Sequence, residues 1–341
     1  MITEQSTATV ADLDKIRCRL CQSSEVNQVD EVEFVTGFAW PVWDCPECGC
    51  RFTRHESDVY NTLHSQVGSC YSRYREIAAA IKPIFDRGDI KALRAELSRA
   101  AKYRFILNKL DILNQPARLL EVGCARGFLT SYFILSGYDI LGVDVSEDAI
   151  KSAVEMFGNH FALSSAAAME AGAPYDAIYH VGTVGCIADP VEMTEQLLGL
   201  LKPGGLLLFN APNRDACNQR GQLWFDSTPP PDLVTLFPPG FWKHRFGQVA
   251  EVEEEIETSD AERSFTVGLR NLFRIRWRHP EPIHLSRSAH SSAPPKRTSE
   301  KIWNVFERGA RKVARTTRLI DFVSRQPSEY DFFVTMRRNE E

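Results

Sequence analysis

The chain has 341 residues, of which 43% are hydrophobic and 25% are charged, as is usual for a globular protein. Its formal net charge of −5 argues against a molecule that binds polyanions over its whole surface. Residues 1–18 contain no apolar run, and no segment approaches the ~20 apolar residues that span a bilayer. With nine cysteines and no secretion signal, this pattern predicts a cytoplasmic protein whose thiols are reduced or bound to a metal.

Two C-x-x-C pairs lie near the N-terminus, Cys18–Cys21 and Cys45–Cys48, with 23 residues between them. Two intervening residues let both thiolates of a pair face one tetrahedral ion, and four thiolates leave no open coordination position. We therefore predict a structural zinc ribbon over residues 1–58, too small to be held by its own core and stabilised by the metal. The alternative is a set of free or buried cysteines, and Cys50 could compete with Cys48 for the ion.

Residues 59–115 show apolar residues at helical spacing. Breaks at Pro83 and around Gly88 divide this stretch into at least two predicted helices. These helices could form a lid over a ligand. The alternative is a packing scaffold with a solvated polar face.

The next segment begins with an apolar run, Arg118–Val122, followed by a turn that contains Gly123 and Gly127 and then by a helical pattern. Glycines without a Cβ let the backbone of such a turn approach a ligand closely. A second apolar run ends about twenty residues later in Asp144. A carboxylate at that position can accept hydrogen bonds from a ribose diol, which predicts a nucleoside site.

Strand and helix patterns continue to alternate as far as Asn213. Ser146 and Asp189 are predicted to begin helices. The third strand is expected over 161–165, the fourth strand with its following loop over 175–190, the fifth strand from Leu206 and the sixth over 248–257. This alternation predicts an α/β fold with a doubly wound parallel sheet and ligands at the carboxyl edge of its strands.

The turn reads Glu121-x-Gly123-x-Ala125-x-Gly127, which resembles the first motif of class I S-adenosylmethionine-dependent methyltransferases. That motif is usually Asp/Glu-x-Gly-x-Gly-x-Gly, and Ala125 replaces its middle glycine. The resemblance covers residues 118–213 and implies a Rossmann-like seven-stranded methyltransferase sheet, here with an N-terminal zinc ribbon and a helical lid. The carboxylate of Glu121 suits the cationic cofactor, directly or through water. The S-adenosylmethionine site implied by the resemblance comprises Glu121, Gly123, Cys124, Ala125, Gly127, Asp144, Val145, Ala166, Val181 and Gly182.

The residues predicted to contact the methyl acceptor depart from the family's usual sequence pattern. Many members carry Glu-His after the fourth strand, where this chain has Gly185-Cys186. The remaining candidates for a general base are His244 first and His180 second, although a histidine within a strand is more often packed and hydrogen-bonded. The predicted acceptor contacts are aromatic: Tyr71, Tyr74, Trp224 and Trp242.

After a core predicted over 116–262, residues 263–329 form an insertion before a closing strand at 330–341. Residues 263–325 contain 15 Lys or Arg against 4 Asp or Glu. A basic amphipathic helix is predicted over 300–325. It could pack on the core with a solvated basic face, contact an anionic membrane surface, or bind RNA.

These features predict methyl transfer by an SN2 reaction. The zinc-ribbon resemblance is to bacterial enzymes that modify polysaccharides, glycolipids and natural products, which implies a hydroxyl of a saccharide, glycolipid or other small molecule as acceptor. The alternatives are an RNA methyltransferase and a non-catalytic scaffold that binds S-adenosylmethionine.

Overall fold

A computed structural model describes residues 16–35, 38–55, 72–113, 116–219, 223–225, 228, 230, 232–256 and 331–340. The strands are β1 (Asn27–Val35), β2 (Phe38–Asp44), β3 (Arg51–Thr53), β4 (Arg118–Val122), β5 (Asp139–Asp144), β6 (Phe161–Leu163), β7 (Tyr175–His180), β8 (Leu201–Pro212), β9 (Thr235–Leu236), β10 (Ala250–Ile256) and β11 (Asp331–Arg338). The helices are α1 (Ser72–Asp86), α2 (Ile90–Leu97), α3 (Ala101–Leu110), α4 (Phe128–Leu135), α5 (Glu147–Phe157), α6 (Ala166–Glu170), α7 (Pro190–Gly199), α8 (Arg214–Gln219) and α9 (Phe241–Phe246). Among these described helices, none combines the length and apolarity needed to cross a bilayer.

The larger sheet has seven strands in the order β10-β11-β8-β7-β4-β5-β6. Strands β6, β5, β4, β7 and β8 run parallel, and β11 is antiparallel to both β8 and β10. The predicted α/β seven-stranded Rossmann-like sheet is therefore confirmed, including the sixth and closing strands. The order reverses at β4, where a doubly wound sheet opens a crevice for ligands at its carboxyl edge.

The two faces of this sheet are covered differently. Helices α1 to α5 pack on one face, with Leu93, Phe105 and Phe133 among the buried residues of that core. Phe105 also stacks on Phe333 of β11 at 4.6 Å. Helices α7 and α9 cover the other face. The α1–α3 segment, predicted as a lid or a scaffold, thus contributes a layer of the core.

The smaller sheet has the order β1-β2-β3-β9. Its first three strands belong to the predicted ribbon, whereas β9 lies just before α9 and pairs antiparallel with β3. Trp43 and Phe52 of the ribbon pack in one buried cluster with Phe237 and Trp242 of the core. Contrary to expectation, the ribbon is held by a shared hydrophobic core as well as by its cysteines.

The capping signals at two helix starts are confirmed. Ser146 and Asp189 cap α5 and α7, each accepting a hydrogen bond from a backbone N–H three residues on. The prediction was wrong for the start of the fifth strand, because β8 begins at Leu201. Its pairing with β7 jumps from Leu201 to Leu206, so the glycine turn around Gly204 is accommodated as an irregularity within the strand.

Candidate functional site

The loop from β4 to α4 lies at the carboxyl edge of the large sheet. Its backbone visits the left-handed region at Gly123 (φ +73°), Ala125 (φ +47°) and Gly127 (φ +73°). A Cβ on Gly123 would lie 2.4 Å from Oγ1 of Thr183, so only glycine fits there. The N–H groups of Gly123 and Cys124 donate to the carbonyl of Val143, which holds the loop against β5.

Asp144, the last residue of β5, ties this loop in place. One carboxylate oxygen accepts a hydrogen bond from the N–H of Ala125 at 2.8 Å, and the other accepts from the N–H of Ser146 at 2.9 Å. Beside it, Val145 is 66% exposed, and Leu163 at the end of β6 is 46% exposed. A carboxylate flanked by uncovered apolar side chains suits a nucleoside, whose ribose is polar and whose base is flat and apolar. These residues therefore fit the predicted cofactor.

The loop after β7 lies next to the glycine loop, because Val122 of β4 pairs with His180 of β7. The N–H of Gly182 donates to the buried side-chain oxygen of Asn210 at 2.7 Å. The structure thus brings the predicted residues Val181 and Gly182 to the same edge as Asp144. Ala166 follows β6 as the first residue of α6.

Four cysteines of the ribbon converge on one point. The sulfur atoms of Cys18, Cys21, Cys45 and Cys48 all lie within 4.8 Å of one another. Between the two pairs, the sulfur atoms of Cys18 and Cys48 are 3.4 Å apart and those of Cys21 and Cys45 are 3.6 Å apart. Tetrahedral zinc with bonds of about 2.3 Å places sulfur atoms roughly 3.8 Å apart. The cluster could therefore hold a zinc ion.

The two knuckles of this cluster have the same backbone conformation. Gln22 (φ +62°) and Gly49 (φ +76°) each follow the second cysteine of a pair in the left-handed region. Each of these two residues donates its N–H to the carbonyl of the first cysteine of its pair at 3.0 Å. Glycine favours this conformation, whereas a glutamine at the same place in the turn is not predictable from residue type.

Residues 86–249 match the family model described as a methyltransferase domain. Over this stretch, just under half of its length, the chain is similar to methyltransferases. It is similar to the ubiquinone biosynthesis O-methyltransferase of Ruegeria pomeroyi, with 31% identity over 29% of this chain and 42% of that protein. The ubiquinone biosynthesis O-methyltransferase of Nitrosospira multiformis is also 31% identical, over 31% of this chain and 50% of that protein. The chain thus spans about half the length of these curated relatives or less. A methyltransferase structure from Archaeoglobus fulgidus is 17% identical, with a TM-score of 0.40 over 69% of this chain and 94% of that one.

Within this methyltransferase domain, Glu121 lies in the core and not on the surface of the loop. It is 3% exposed and accepts hydrogen bonds from the hydroxyl groups of Thr130 and Tyr179. Burial raises the pKa of its carboxyl group to about 8. The predicted role of Glu121 toward the cofactor stays a prediction. Its two hydroxyl partners lie 9 and 58 residues away in sequence, and no local sequence pattern links them to Glu121.

Glu121→Gln is expected to change how stability depends on pH. Because the folded pKa of about 8 exceeds the ordinary value of 4.5, the folded wild type binds more protons than the unfolded chain between these values. Its free energy of unfolding should therefore fall as pH rises from 4.5 to 8, by at most ~1.4 kcal/mol per pH unit. Thermal unfolding between pH 5 and 9 should show the variant gaining stability relative to wild type as pH rises. A constant difference across this range would contradict the burial of a protonated carboxyl group.

His180, the second candidate base, is fully buried at the end of β7. Its ring stacks on Phe209 at 4.6 Å, and neither ring nitrogen has a hydrogen-bond partner among the described residues. Burial lowers its pKa to about 3. The sequence favours a packed and hydrogen-bonded histidine, and the structure shows the packing without the hydrogen bond.

His180→Phe is expected to keep or raise stability, because it retains the stacked ring and removes two buried polar atoms that cost about 1–3 kcal/mol when unpaired. Since the folded pKa lies below the ordinary 6.5, wild-type stability should be full above pH 6.5 and fall toward pH 3. The variant should lose that part of the acid dependence. Urea unfolding at pH 7 and pH 4.5 measures both effects, and a clear loss of stability at pH 7 would show that the ring is hydrogen-bonded through water.

His244, the first candidate base, lies on the exposed side of α9. It lines a cavity of about 670 Å³ between the cysteine knuckles, α7 and α9, together with Cys48, Glu192 and Arg245. Among the described residues, that lining includes neither residues 123–127 nor Asp144. His244 therefore faces a different space from the one beside the glycine loop.

The two tryptophans predicted as acceptor contacts are both buried. Trp242 is 0% exposed within an aromatic cluster that includes Phe209 and Phe237. Trp224 is 3% exposed and donates its indole N–H to the carbonyl of Thr228 at 3.2 Å. In this conformation neither ring can touch an acceptor. Tyr71 and the side chain of Tyr74 lie outside the described residues.

Proposed function

We propose that this chain transfers the methyl group of S-adenosylmethionine to a hydroxyl oxygen of a small molecule. The observation that carries the proposal is the left-handed glycine loop, tied by the Asp144 carboxylate to the carboxyl edge of a methyltransferase sheet. The relatives named O-methyltransferase support oxygen as the target atom.

The bound cofactor supplies an activated methyl group on a sulfonium sulfur. For this site we assign the ribose diol to Asp144, whose carboxylate retains further acceptor capacity beyond its two backbone hydrogen bonds. Val145 and Leu163 would cover the adenine, and the loop backbone would approach the cofactor at Gly123. Such positioning supplies much of the rate, because effective molarities of well-oriented reactants reach ~10⁵ M or more.

The finer identity of the acceptor is a separate part of the proposal. Two of the relatives are named for ubiquinone biosynthesis, which favours a phenolic hydroxyl as the first class to test. A saccharide or glycolipid hydroxyl remains the prediction from the N-terminal resemblance. The membrane-surface and RNA alternatives rest on residues 300–325 and the basic insertion, which lie outside the described residues.

We further propose that Cys18, Cys21, Cys45 and Cys48 hold one structural zinc ion. The sulfur spacing and the paired knuckle turns support this role. Four thiolates complete a tetrahedral shell, so a metal here would stabilise the ribbon and would have no position for a substrate.

Transfer of a labelled methyl group tests the function. The protein is incubated with methyl-labelled S-adenosylmethionine and, in separate reactions, 3,4-dihydroxybenzoate, methyl α-D-glucopyranoside, and the RNA, lipid and saccharide pools of a bacterial extract. Label in an alkali-stable ether is expected, either in 3,4-dihydroxybenzoate, in methyl α-D-glucopyranoside, or in the lipid or saccharide pool. Label confined to RNA would overturn the acceptor class, and binding of the cofactor without transfer to any pool would favour the scaffold alternative.

A further inference from the structure

The loop that follows β7, residues 181–189, lies against the glycine loop of the proposed cofactor site. Thr183 donates its hydroxyl to the carbonyl of Val122, the last residue of β4, at 3.3 Å. The same hydroxyl oxygen lies 2.4 Å from the position that a Cβ on Gly123 would occupy. Any displacement of Thr183 therefore acts directly on the turn that the methyl donor is proposed to approach.

The far end of this loop is held by a side chain of the ribbon. Arg19 lies in the first cysteine knuckle, between Cys18 and Cys21. Its Nη1 donates to the carbonyl of Ala188 at 2.5 Å, and its Nε donates to the carbonyl of Thr53 at 2.9 Å. One planar guanidinium group thus bridges the end of β3 and the end of the loop.

Backbone hydrogen bonds tie the middle of the loop to the same strand. The N–H of Thr53 donates to the carbonyl of Val234 at 3.0 Å, and the N–H of Val234 donates to the carbonyl of Gly185 at 2.8 Å. Within the loop, the N–H of Cys186 donates to the carbonyl of Thr183 at 2.9 Å. Hydrogen bonds and one peptide link therefore connect the end of β3 with the residue that contacts the glycine loop.

Arg19 takes part in both of these connections. Its guanidinium group fixes the carbonyl of Thr53, whose own N–H makes the bond to Val234. Within the part of the chain that the structure describes, Arg19 is also the only donor to the carbonyl of Ala188, which is an exposed residue. Loss of the guanidinium group would therefore release the end of the loop and loosen its attachment through β3.

We propose that Arg19 is a positioning residue, which couples the cysteine ribbon to the glycine loop and so raises affinity for the methyl donor. This role rests on the proposed function, since the site beside Gly123 is assigned to S-adenosylmethionine there. Arg19 touches neither the cofactor nor the acceptor and acts through the loop after β7. Because coupling between two sites is reciprocal, a bound cofactor should in turn strengthen binding of zinc by the ribbon.

Arg19→Gln tests this role in the full-length, zinc-loaded protein, because glutamine is shorter, carries no charge and cannot bridge both carbonyls. Calorimetric titration with S-adenosylhomocysteine should show an affinity lowered by about 5- to 150-fold, the usual range for coupling between two sites. Arg19→Lys keeps the charge without the planar fork, so its affinity should lie between those of Arg19→Gln and wild type.

Arg17→Gln is the matched control in the same knuckle. Arg17 donates to the carbonyl of Gln22 at 3.0 Å, a contact that stays within the ribbon. Its affinity for S-adenosylhomocysteine should therefore remain within about twofold of wild type, because it has no link to the loop after β7. Circular dichroism and zinc content establish that each variant is folded before it is titrated.

Reciprocity gives a second readout, which a purely structural role of Arg19 would not produce. Zinc affinity of wild type, measured by competition with a chelator, should rise on saturation with S-adenosylhomocysteine by the same factor that Arg19→Gln loses in the titration. In Arg19→Gln, S-adenosylhomocysteine should leave zinc affinity within about twofold.

A folded, zinc-loaded Arg19→Gln with wild-type affinity for S-adenosylhomocysteine would overturn the coupling and leave the methyltransferase function intact. If this variant does not fold, the competition experiment on wild type decides, and a zinc affinity that S-adenosylhomocysteine does not change would overturn the coupling. Wild type that shows the coupling but transfers no methyl group to any acceptor pool would support the role of Arg19 and overturn the proposed function.

Discussion

Cys45→Ser is expected to lose the bound zinc and most of the stability of the ribbon. Metal binding to such clusters contributes about 10–16 kcal/mol in isolated zinc-finger peptides, and serine supplies no thiolate ligand. Because Trp43 and Phe52 pack in the same core as Trp242, the loss should spread into the methyltransferase domain. We expect the free energy of unfolding to fall by about 5 kcal/mol or more. Metal analysis of freshly purified protein, with a thermal melt, measures both effects.

Cys50→Ser is the matched control for this prediction. Cys50 is fully buried beside the cluster but is outside the set of four converging sulfur atoms. This variant should keep about one zinc per chain. Zinc retained by Cys45→Ser and lost by Cys50→Ser would show that the ligand set had been assigned incorrectly, and freshly purified wild type without zinc would remove the metal from the proposal altogether.

Asp144→Ala is expected to weaken binding of S-adenosylmethionine by about 100-fold. The carboxylate would lose its contact with the ribose, and the N–H of Ala125 would lose the acceptor that holds the glycine loop. Hydrogen bonds to charged groups contribute about 1.5–3 kcal/mol each, which corresponds to roughly 10- to 150-fold in affinity. Calorimetric titration with S-adenosylmethionine and S-adenosylhomocysteine measures the change.

Two further variants separate this binding role from a general effect on the strand. Asp139 begins the same strand and pairs with Arg118 on the surface at 2.7 Å. Asp139→Ala should therefore leave cofactor affinity within about twofold. Asp144→Asn keeps one acceptor oxygen and should bind with intermediate affinity. Equal affinity in Asp144→Ala and wild type would refute the assignment of Asp144 to the ribose.

The predictable parts of the site are those formed by residues close together in sequence. A strand, a glycine turn and a helix leave a local pattern, so the order of residues around Gly123 is enough to recognise the loop. The pairs Cys18–Cys21 and Cys45–Cys48 are likewise visible from their spacing. Asp144 can be found because the length of one helix fixes the distance to the next parallel strand.

The acceptor side cannot be predicted in this way. An aromatic residue such as Trp242 packs equally well in a core or against a ligand, and its sequence neighbourhood does not distinguish the two. His244 and His180 stand out by their proximity in sequence to the motifs, whereas Arg19 of the ribbon lies 169 residues before Ala188, whose carbonyl it contacts. No local pattern records such a contact.

The sequence by itself therefore determined the fold class, the glycine loop after β4 and the four thiols of the ribbon, because each depends on short-range spacing and hydrophobic periodicity. Only the tertiary structure decided that the ribbon packs into the core of the large sheet, that Glu121 is buried with Thr130 and Tyr179, and that Arg19 reaches the carbonyl of Ala188. These contacts form when distant segments pack together, and their energies depend on burial and neighbouring charge. Burial and neighbouring charge are properties of the folded chain and cannot be read from the order of the residues alone.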